Sequence, residues 1–138
     1  MPNYQNWSNY SNRLSGAGGD SVPKLSYELP SLGPVSADRI LYASASGPDV
    51  ADKDVIAVHD KIIGWTVNAV AALGDMMSIV GEGFIEDTSW TFTPGPIYLG
   101  NSGEPTQVAP TTGIRVQVAT AITATSIYID IGVAIKLA

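Results

Sequence analysis

The chain has 138 residues, of which 45% are hydrophobic and only 14% charged, and its net charge is −6. Its seven basic residues are scattered singly, which argues against the basic surface that nucleic-acid binding requires. The sequence contains no run of about 18 apolar residues, the length that a membrane-spanning helix needs. The absence of cysteine excludes disulfides and thiolate metal sites, and the first residues lack the pattern of a signal peptide.

The first 19 residues carry a short aromatic repeat. An Asn recurs every third residue over residues 3–12, and Tyr4, Trp7 and Tyr10 each follow one, while Arg13 is the only charge in this segment. A period of three is typical of an extended polyproline-like chain or a 3₁₀ turn, and it aligns the aromatic rings on one side. A disordered tail is the alternative, but such tails are poor in aromatic residues. We therefore expect an arm that binds another protein surface through Tyr4, Trp7, Tyr10 and Arg13.

Glycine and proline dominate the stretch that follows the repeat. Residues 16–19 are Gly-Ala-Gly-Gly, and four prolines occur between residues 23 and 48, which favours extended chain. Two strand-like pieces stand out, at residues 24–29 and 39–43. The sequence thus predicts an extended arm with short strands over residues 1–53 and a β body over residues 54–138.

The body sequence predicts short strands separated by turns. Gly81 and Gly83 interrupt one of these strands and predict a bulge or a close backbone approach, and the alanine-rich residues 66–72 are compatible with either helix or strand. Strands are expected at residues 54–59, 61–72, 76–80, 84–86, 90–93, 97–99, 107–108, 114–122 and 126–137. This spacing predicts an all-β fold, a small β-barrel or sandwich body of β-tulip-like form with an extended N-terminal arm.

The last predicted strand has the clearest pattern. Aliphatic residues occupy every odd position of residues 127–137, beginning with Ile127, Ile129 and Ile131, so one face of the strand should be buried. Trp65, Trp90 and Phe92 are expected in the core or at an interface. A body of about 85 residues is too small to bury all these side chains by itself. We therefore assign six residues to the core or to a homotrimer interface: Trp65, Trp90, Phe92, Ile127, Ile129 and Ile131.

A search for catalytic or ligand-binding groups finds no convincing set. The single histidine, His59, has Asp60 beside it, but adjacent residues of a strand point to opposite faces. The carboxylates of residues 49–54 lack the central Gly and terminal Glu of a calcium loop. Glu82 and Glu86 would share a face only in a regular strand. We therefore predict a protein that is not an enzyme and has no metal site and no cofactor.

Several pieces of the body resemble a small β module of tailed-bacteriophage virions. They are residues 63–65, 72–75 and 81–83, the Trp-Thr-Phe-Thr-Pro-Gly-Pro-Ile-Tyr-Leu run of residues 90–99, and residues 103–106, 109–113 and 118–130. Such modules occur, usually as trimers, in capsid decoration (cement) proteins and in fibre or spike components. The chain departs from the commonest form at residues 117–119, where a Val-Gly pair is frequent.

The resemblance implies a virion protein on the capsid surface, whose partners are its own copies and the phage major capsid protein. In this interpretation the arm clamps neighbouring capsomers. One alternative is a trimeric head or tail fibre or collar component. A glycan- or receptor-binding module is an alternative from a different class.

Overall fold

The computed structural model describes residues 25–137, and the arm residues Tyr4, Trp7, Tyr10 and Arg13 lie outside the described residues. This part of the chain is nearly all β, which confirms the all-β fold. Its strands are β1 (Leu25–Pro30), β2 (Ile40–Ser44), β3 (Gly47–Val50), β4 (Ile62–Thr66), β5 (Met76–Glu86), β6 (Gly95–Leu99), β7 (Pro105–Thr106), β8 (Ile114–Arg115), β9 (Gln117–Thr123), β10 (Ser126–Asp130) and β11 (Ile135–Lys136). Short 3₁₀ turns occur at Ile56–Val58 and Asn101–Gly103.

Nine of the strands form one antiparallel sheet that curls into a half-barrel. Its order is β3-β2-β4-β5-β10-β9-β6-β7, with β1 also paired to β5, and β8 pairs separately with β11. Strands β1 to β3 lie within residues 25–53, which the sequence pattern predicts to belong to the arm. The sheet therefore extends across the predicted boundary at residue 53.

The longest strand, β5, connects the two halves of the sheet through a bulge. Ser26 pairs with Val80 and Leu25 with Glu82, so Gly81 is an extra residue, at the position where the glycines predict a bulge. A bulge bends a strand and increases its twist. On one side of the bend β5 pairs with β1 and β4, and on the other side it pairs with β10.

A second bulge, in β4, lies next to the first. Leu41 pairs with Gly64 and Tyr42 with Ile62, which leaves Ile63 without a register partner in β2. The Tyr27 hydroxyl donates a 2.7 Å hydrogen bond to the Ile63 carbonyl, and partial burial of the phenol raises the pKa of Tyr27. The phenol thus ties β1 to this irregular point of the neighbouring strand.

Two hydrophobic clusters lie on opposite faces of the sheet. The main core fills the concave side with side chains from both halves, among them Ile40, Trp65, Val80, Ile97 and Ile129. The second core lies on the outer face of the first half, where Leu41, Met77 and Ile79 are covered by Val35 and Val70. Val35 and Val70 form an isolated bridge, so the segments before β2 and after β4 close over this outer face.

Four predicted strands are wrong or too long. The one at residues 107–108 is absent, because the nearest strand, β7, ends at Thr106. Residues 54–59 contain a 3₁₀ turn, because the Asp52 side chain and main chain accept the N–H groups of Asp54 and Val55. Residues 90–93 form no strand, because the Asp87 carbonyl accepts the Trp90 N–H in a turn. The predicted strand at 61–72 ends at Thr66, and residues 67–75 form a covering segment that is neither helix nor regular strand.

The final predicted strand is also shorter than its pattern. The strand β10 ends at Asp130, and a separate two-residue strand, β11, follows at Ile135–Lys136. Beyond Asp130 the chain has no register partner in β5, and the Gly132 N–H bonds the Gln117 carbonyl instead. Val133 continues the aliphatic alternation but is 90% exposed. The pattern was therefore correct for the first half of the segment and wrong for the second.

Candidate interaction surfaces

Two of the predicted aromatic residues meet at one carboxylate. Asp38 accepts a 2.9 Å hydrogen bond from Trp65 Nε1 on one oxygen and a 3.2 Å bond from Trp90 Nε1 on the other. The two indoles meet edge to face with their centroids 6.0 Å apart, and Phe92 lies 5.6 Å from Trp90. Asp38 has a φ of +58°, in the left-handed region that Asp tolerates better than most residues.

This aromatic cluster acts as a clasp between three parts of the chain. Trp65 is fully buried, while Trp90 and Phe92 are partly buried and pack against the main core. Asp38 precedes β2, Trp65 lies in β4 and Trp90 follows β5, so the carboxylate joins segments that are distant in sequence. The sequence gives no signal for Asp38, because its partners become neighbours only after the sheet has formed.

The predicted isoleucines divide by burial. Ile127 and Ile129 are fully buried inside the chain itself, while Ile131 is partly buried against the core. The first two therefore contribute to the core of the chain itself. The aliphatic side chains that remain accessible near the C-terminus are Val133 and Ile135, the latter 57% exposed.

A polar cleft of about 470 Å³ lies beside the turn at Asn101–Gly103. Hydroxyl, amide and charged side chains line it together with aliphatic and proline side chains, and its lining contains no aromatic ring. Lys53 enters the cleft, where its ammonium lies 2.8 Å from Asp54 Oδ1 and 3.2 Å from Thr112 Oγ1. The lining residues are Lys53, Gly100, Asn101, Glu104, Pro105, Thr106, Val108, Ala109, Pro110, Thr111 and Thr112.

The carboxylates beside the cleft are held by hydrogen bonds from the protein. Burial raises the pKa of Asp52, but the N–H groups of Asp54 and Ser102 and the Asn101 amide outweigh it, so the net pKa is lowered. The Lys53 ammonium, with help from Asn101, lowers the pKa of Asp54. The polar groups of residues 52–54 and of the turn at Asn101–Gly103 thus bond one another and hold the two loops together; we call this contact the braced junction. Within residues 25–137 no group of three or more His, Cys, Asp or Glu side chains is placed to hold a metal ion.

The remaining candidate catalytic residues do not line the cleft. His59 Nδ1 lies 3.0 Å from the Ile56 carbonyl and 3.9 Å from Asp60. Glu82 and Glu86 are exposed on β5. Within residues 25–137 no hydrogen bond joins His59, Glu82 or Glu86 to a Ser, Thr or Tyr hydroxyl.

An exposed set of apolar side chains lies on the segments that meet where β1 ends and β5 begins. We call it the apolar tip; it comprises Leu32, Val67, Leu73 and Met76, whose exposed fractions are 38%, 42%, 74% and 50%. Backbone hydrogen bonds between residues 31 and 74–75 and between Val67 and Ser78 hold these segments together. The single carboxylate of residues 67–75, Asp75, accepts the N–H groups of Ala71 and Ala72.

The apolar tip was missed at the sequence level, although its signal is visible. Residues 67–75 are rich in Ala, Val and Leu and contain one charge, and the ambiguity between helix and strand concealed the third possibility, an exposed apolar segment. Exposed aliphatic clusters of this kind mark interaction sites more often than isolated exposed side chains do.

Comparison with known proteins gives no relative. No protein-family model, no curated protein and no solved structure matches the chain. Among residues 25–137 no helix is long and apolar enough to cross a membrane.

Proposed function

We propose that the chain is a non-enzymatic structural protein of a tailed-bacteriophage virion, namely a capsid decoration protein. It binds the head surface as a homotrimer, contacts the major capsid protein and clamps neighbouring capsomers through its N-terminal arm. The resemblance of residues 63–130 to phage virion modules supports the assignment to a virion. A trimeric fibre or collar component is the alternative within the same class.

The observation that carries a docking role is the apolar tip. Leu73 and Met76 are at least half exposed in a protein with only 14% charged residues. Water contact at such a cluster is unfavourable by about 25 cal/mol for each Å² of apolar surface, so covering it with another protein is favourable. We assign this end of the sheet to the capsid and the exposed C-terminal pair Val133 and Ile135 to contacts between copies.

The polar cleft gives little support to the glycan-binding alternative. Sugar-binding surfaces commonly stack an aromatic ring on the sugar face, and the cleft lining contains only aliphatic, proline and polar side chains. The charged groups beside it are also engaged by one another. The cleft therefore serves the structure of the loop junction in this proposal.

A loading experiment tests the proposal. Purified protein is mixed with phage heads that lack it, and bound protein is quantified by mass spectrometry relative to the major capsid protein. A decoration protein should saturate at a copy number of the same order as the capsid protein, whereas a fibre or collar component should saturate at a few copies per head. Absence of binding to heads and tails alike would contradict both virion assignments.

A pair of matched variants locates the docking surface. Leu73→Asp places a charge on the apolar tip, and because Leu73 is 74% exposed the fold should not change. Val108→Asp places the same charge on a side chain that is 78% exposed but lies at the cleft. We expect the first variant to lose loading by at least about tenfold, the effect of 1.4 kcal/mol, and the second to load normally. Equal loading would remove the apolar tip from the interface.

A further inference from the structure

The outer face of the second half of the sheet carries a row of aromatic side chains. Phe84 in β5 pairs with Tyr128 in β10, Tyr128 with Thr120 in β9, and Thr120 with Pro96 in β6. Tyr98 lies on the same face as Pro96, two residues further along β6. We call these five residues the aromatic row; its rings are partly buried by their neighbours, and Thr120 and Pro96 are exposed. None of the five belongs to either hydrophobic cluster.

The edge of the sheet next to Phe84 is open within residues 25–137. The Asp87 N–H donates a 2.9 Å hydrogen bond to the Thr125 carbonyl, so residue 87 is bonded to the β10 side. In an antiparallel ladder every second residue of a strand bonds the same neighbour. Gly83 and Ile85 are therefore the β5 residues whose backbone groups bond β10. The backbone groups of Phe84 and Glu86 therefore point to the opposite edge. On that edge Leu25, the first residue that the structure describes, pairs with Glu82.

We propose that residues 4–13 of the same chain lie across the aromatic row, with Tyr4, Trp7 and Tyr10 against its rings. The N-terminal segment joins the sheet at Leu25, directly beside the row. Residues 14–24 can span up to about 36 Å when extended. The distance from β5 to β6 is three strand spacings, about 14 Å. The segment is therefore long enough to reach every position of the row from its own point of attachment.

Charge and composition fit this occupant. Acidic side chains flank the row, with Glu82 and Glu86 exposed on β5 and Asp130 exposed on β10. Arg13 is the only charged residue among residues 1–19, and its charge is opposite in sign to that of this acidic edge. Tyr and Trp bury large, partly polar rings with little loss of conformational entropy, which suits an adaptable contact on a sheet face.

The inference concerns the free protein and does not depend on the virion assignment. On a capsid, the same segment would have to leave the row before it could clamp a neighbour. Covering the row in the free protein hides its half-buried rings until a partner is present. Failure of the loading experiment would leave this inference intact, and failure of the experiment below would leave the docking role of the apolar tip intact.

Cysteine trapping in the full chain tests the proposal, since the sequence contains no cysteine. The double variant Asn9→Cys with Thr120→Cys places one thiol in the segment and one at the exposed centre of the row. The matched control, Asn9→Cys with Ala45→Cys, places the second thiol on an exposed residue of the turn between β2 and β3. Under mild oxidation we expect an intramolecular disulfide to form at least about tenfold faster in the first variant, with mass spectrometry identifying the linked peptides.

Each outcome decides the proposal. Addition of Trp7→Ala to the first variant should slow trapping by about tenfold, the loss expected for one buried aromatic anchor, while Gln5→Ala should not. Disulfide-linked dimers or trimers in place of the intramolecular product would assign the row to the segment of a second copy. Equal rates for Thr120→Cys and Ala45→Cys would show that the segment does not lie on the row in the free protein. Either result would overturn the proposal.

Discussion

The two halves of the curled sheet use their outer faces differently. In the first half, built from β1 to β4 and the beginning of β5, residues 31–38 and 67–75 cover the outer face and form a second core around Leu41 and Met77. In the second half, built from the end of β5 with β10, β9 and β6, the outer face carries the aromatic row and lies outside both cores. The Gly81 bulge marks the change from one arrangement to the other.

This difference explains why the two halves follow different sequence patterns. A strand buried on both faces reads as a continuous apolar run, as Ile40-Leu41 does in β2, because each face meets a core. A strand buried on one face alternates, as Ile127, Tyr128, Ile129 and Asp130 do in β10. The alternating half is therefore easy to interpret. In the doubly buried half the sequence predicts β4 and β5 as strands of the body but places β1 to β3 in the extended arm.

The largest expected effect comes from a substitution in the main core, which lies on the inner face of both halves. Ile129→Asp places an unpaired charge in the main core, where the side chain is fully buried. The cost is several kcal/mol, comparable to a total stability of about 5–15 kcal/mol, so the variant should be unfolded or aggregated. The neighbouring exposed residue provides the control, since Asp130→Asn should change stability by less than about 0.5 kcal/mol.

Urea unfolding followed by circular dichroism measures both variants. Ile131→Asp should fall between them, because Ile131 is only partly buried and lies beyond the end of β10. Equal stability of the variants at 129 and 130 would contradict the assignment of Ile129 to the buried face and Asp130 to the exposed face of β10.

A second substitution tests whether the covered outer face is a true core. Met77→Ala removes a fully buried side chain between β5 and the covering segments and should destabilise the protein by about 2–5 kcal/mol. Met76→Ala removes the same side chain from a half-exposed site one residue away and should cost less than about 1 kcal/mol. Thermal and urea unfolding at one protein concentration compare the two. A similar loss in both would show that the second core contributes little.

Particular elements show what could be predicted from the sequence. The all-β class, the turn at 73–75, the bulge at Gly81 and the strands near 25–30 and 40–44 follow from local patterns of alternation, Gly and Pro. The end of β10 at Asp130 does not, because it depends on where β5 stops providing a pairing edge. The Asp38 clasp and the apolar tip depend on segments that are brought together only by the folded sheet, so no local pattern reveals them.

The clasp gives the next largest effect, since it joins the covered half to the loop after β5. Asp38→Asn keeps a residue that tolerates positive φ but leaves one carbonyl oxygen for two indole N–H donors. Loss of one acceptor at a partly buried site should cost about 1–3 kcal/mol. Asp49→Asn, at an exposed carboxylate that accepts a single N–H within residues 25–137, that of Val50, should be near neutral. Tryptophan fluorescence during urea unfolding reports both; an unchanged Asp38→Asn would show that the indoles do not need the carboxylate.

The smallest effect concerns the braced junction between the halves, where Asp52 accepts N–H groups from its own loop and from the turn at Asn101–Gly103. Because the pKa of Asp52 is lowered in the fold, its stabilising contribution is present above the ordinary carboxyl pKa and is lost as the pH falls through the folded value. Asp52→Asn should therefore destabilise the protein at pH 7 by at most about 1 kcal/mol, since this site is largely solvated. The difference from the natural sequence should shrink below about pH 4. Urea midpoints at pH 7 and pH 3 measure it, with Asp60→Asn as an exposed control outside the junction. A gap of the same size at both pH values would mean that the Asp52 charge does not brace the junction.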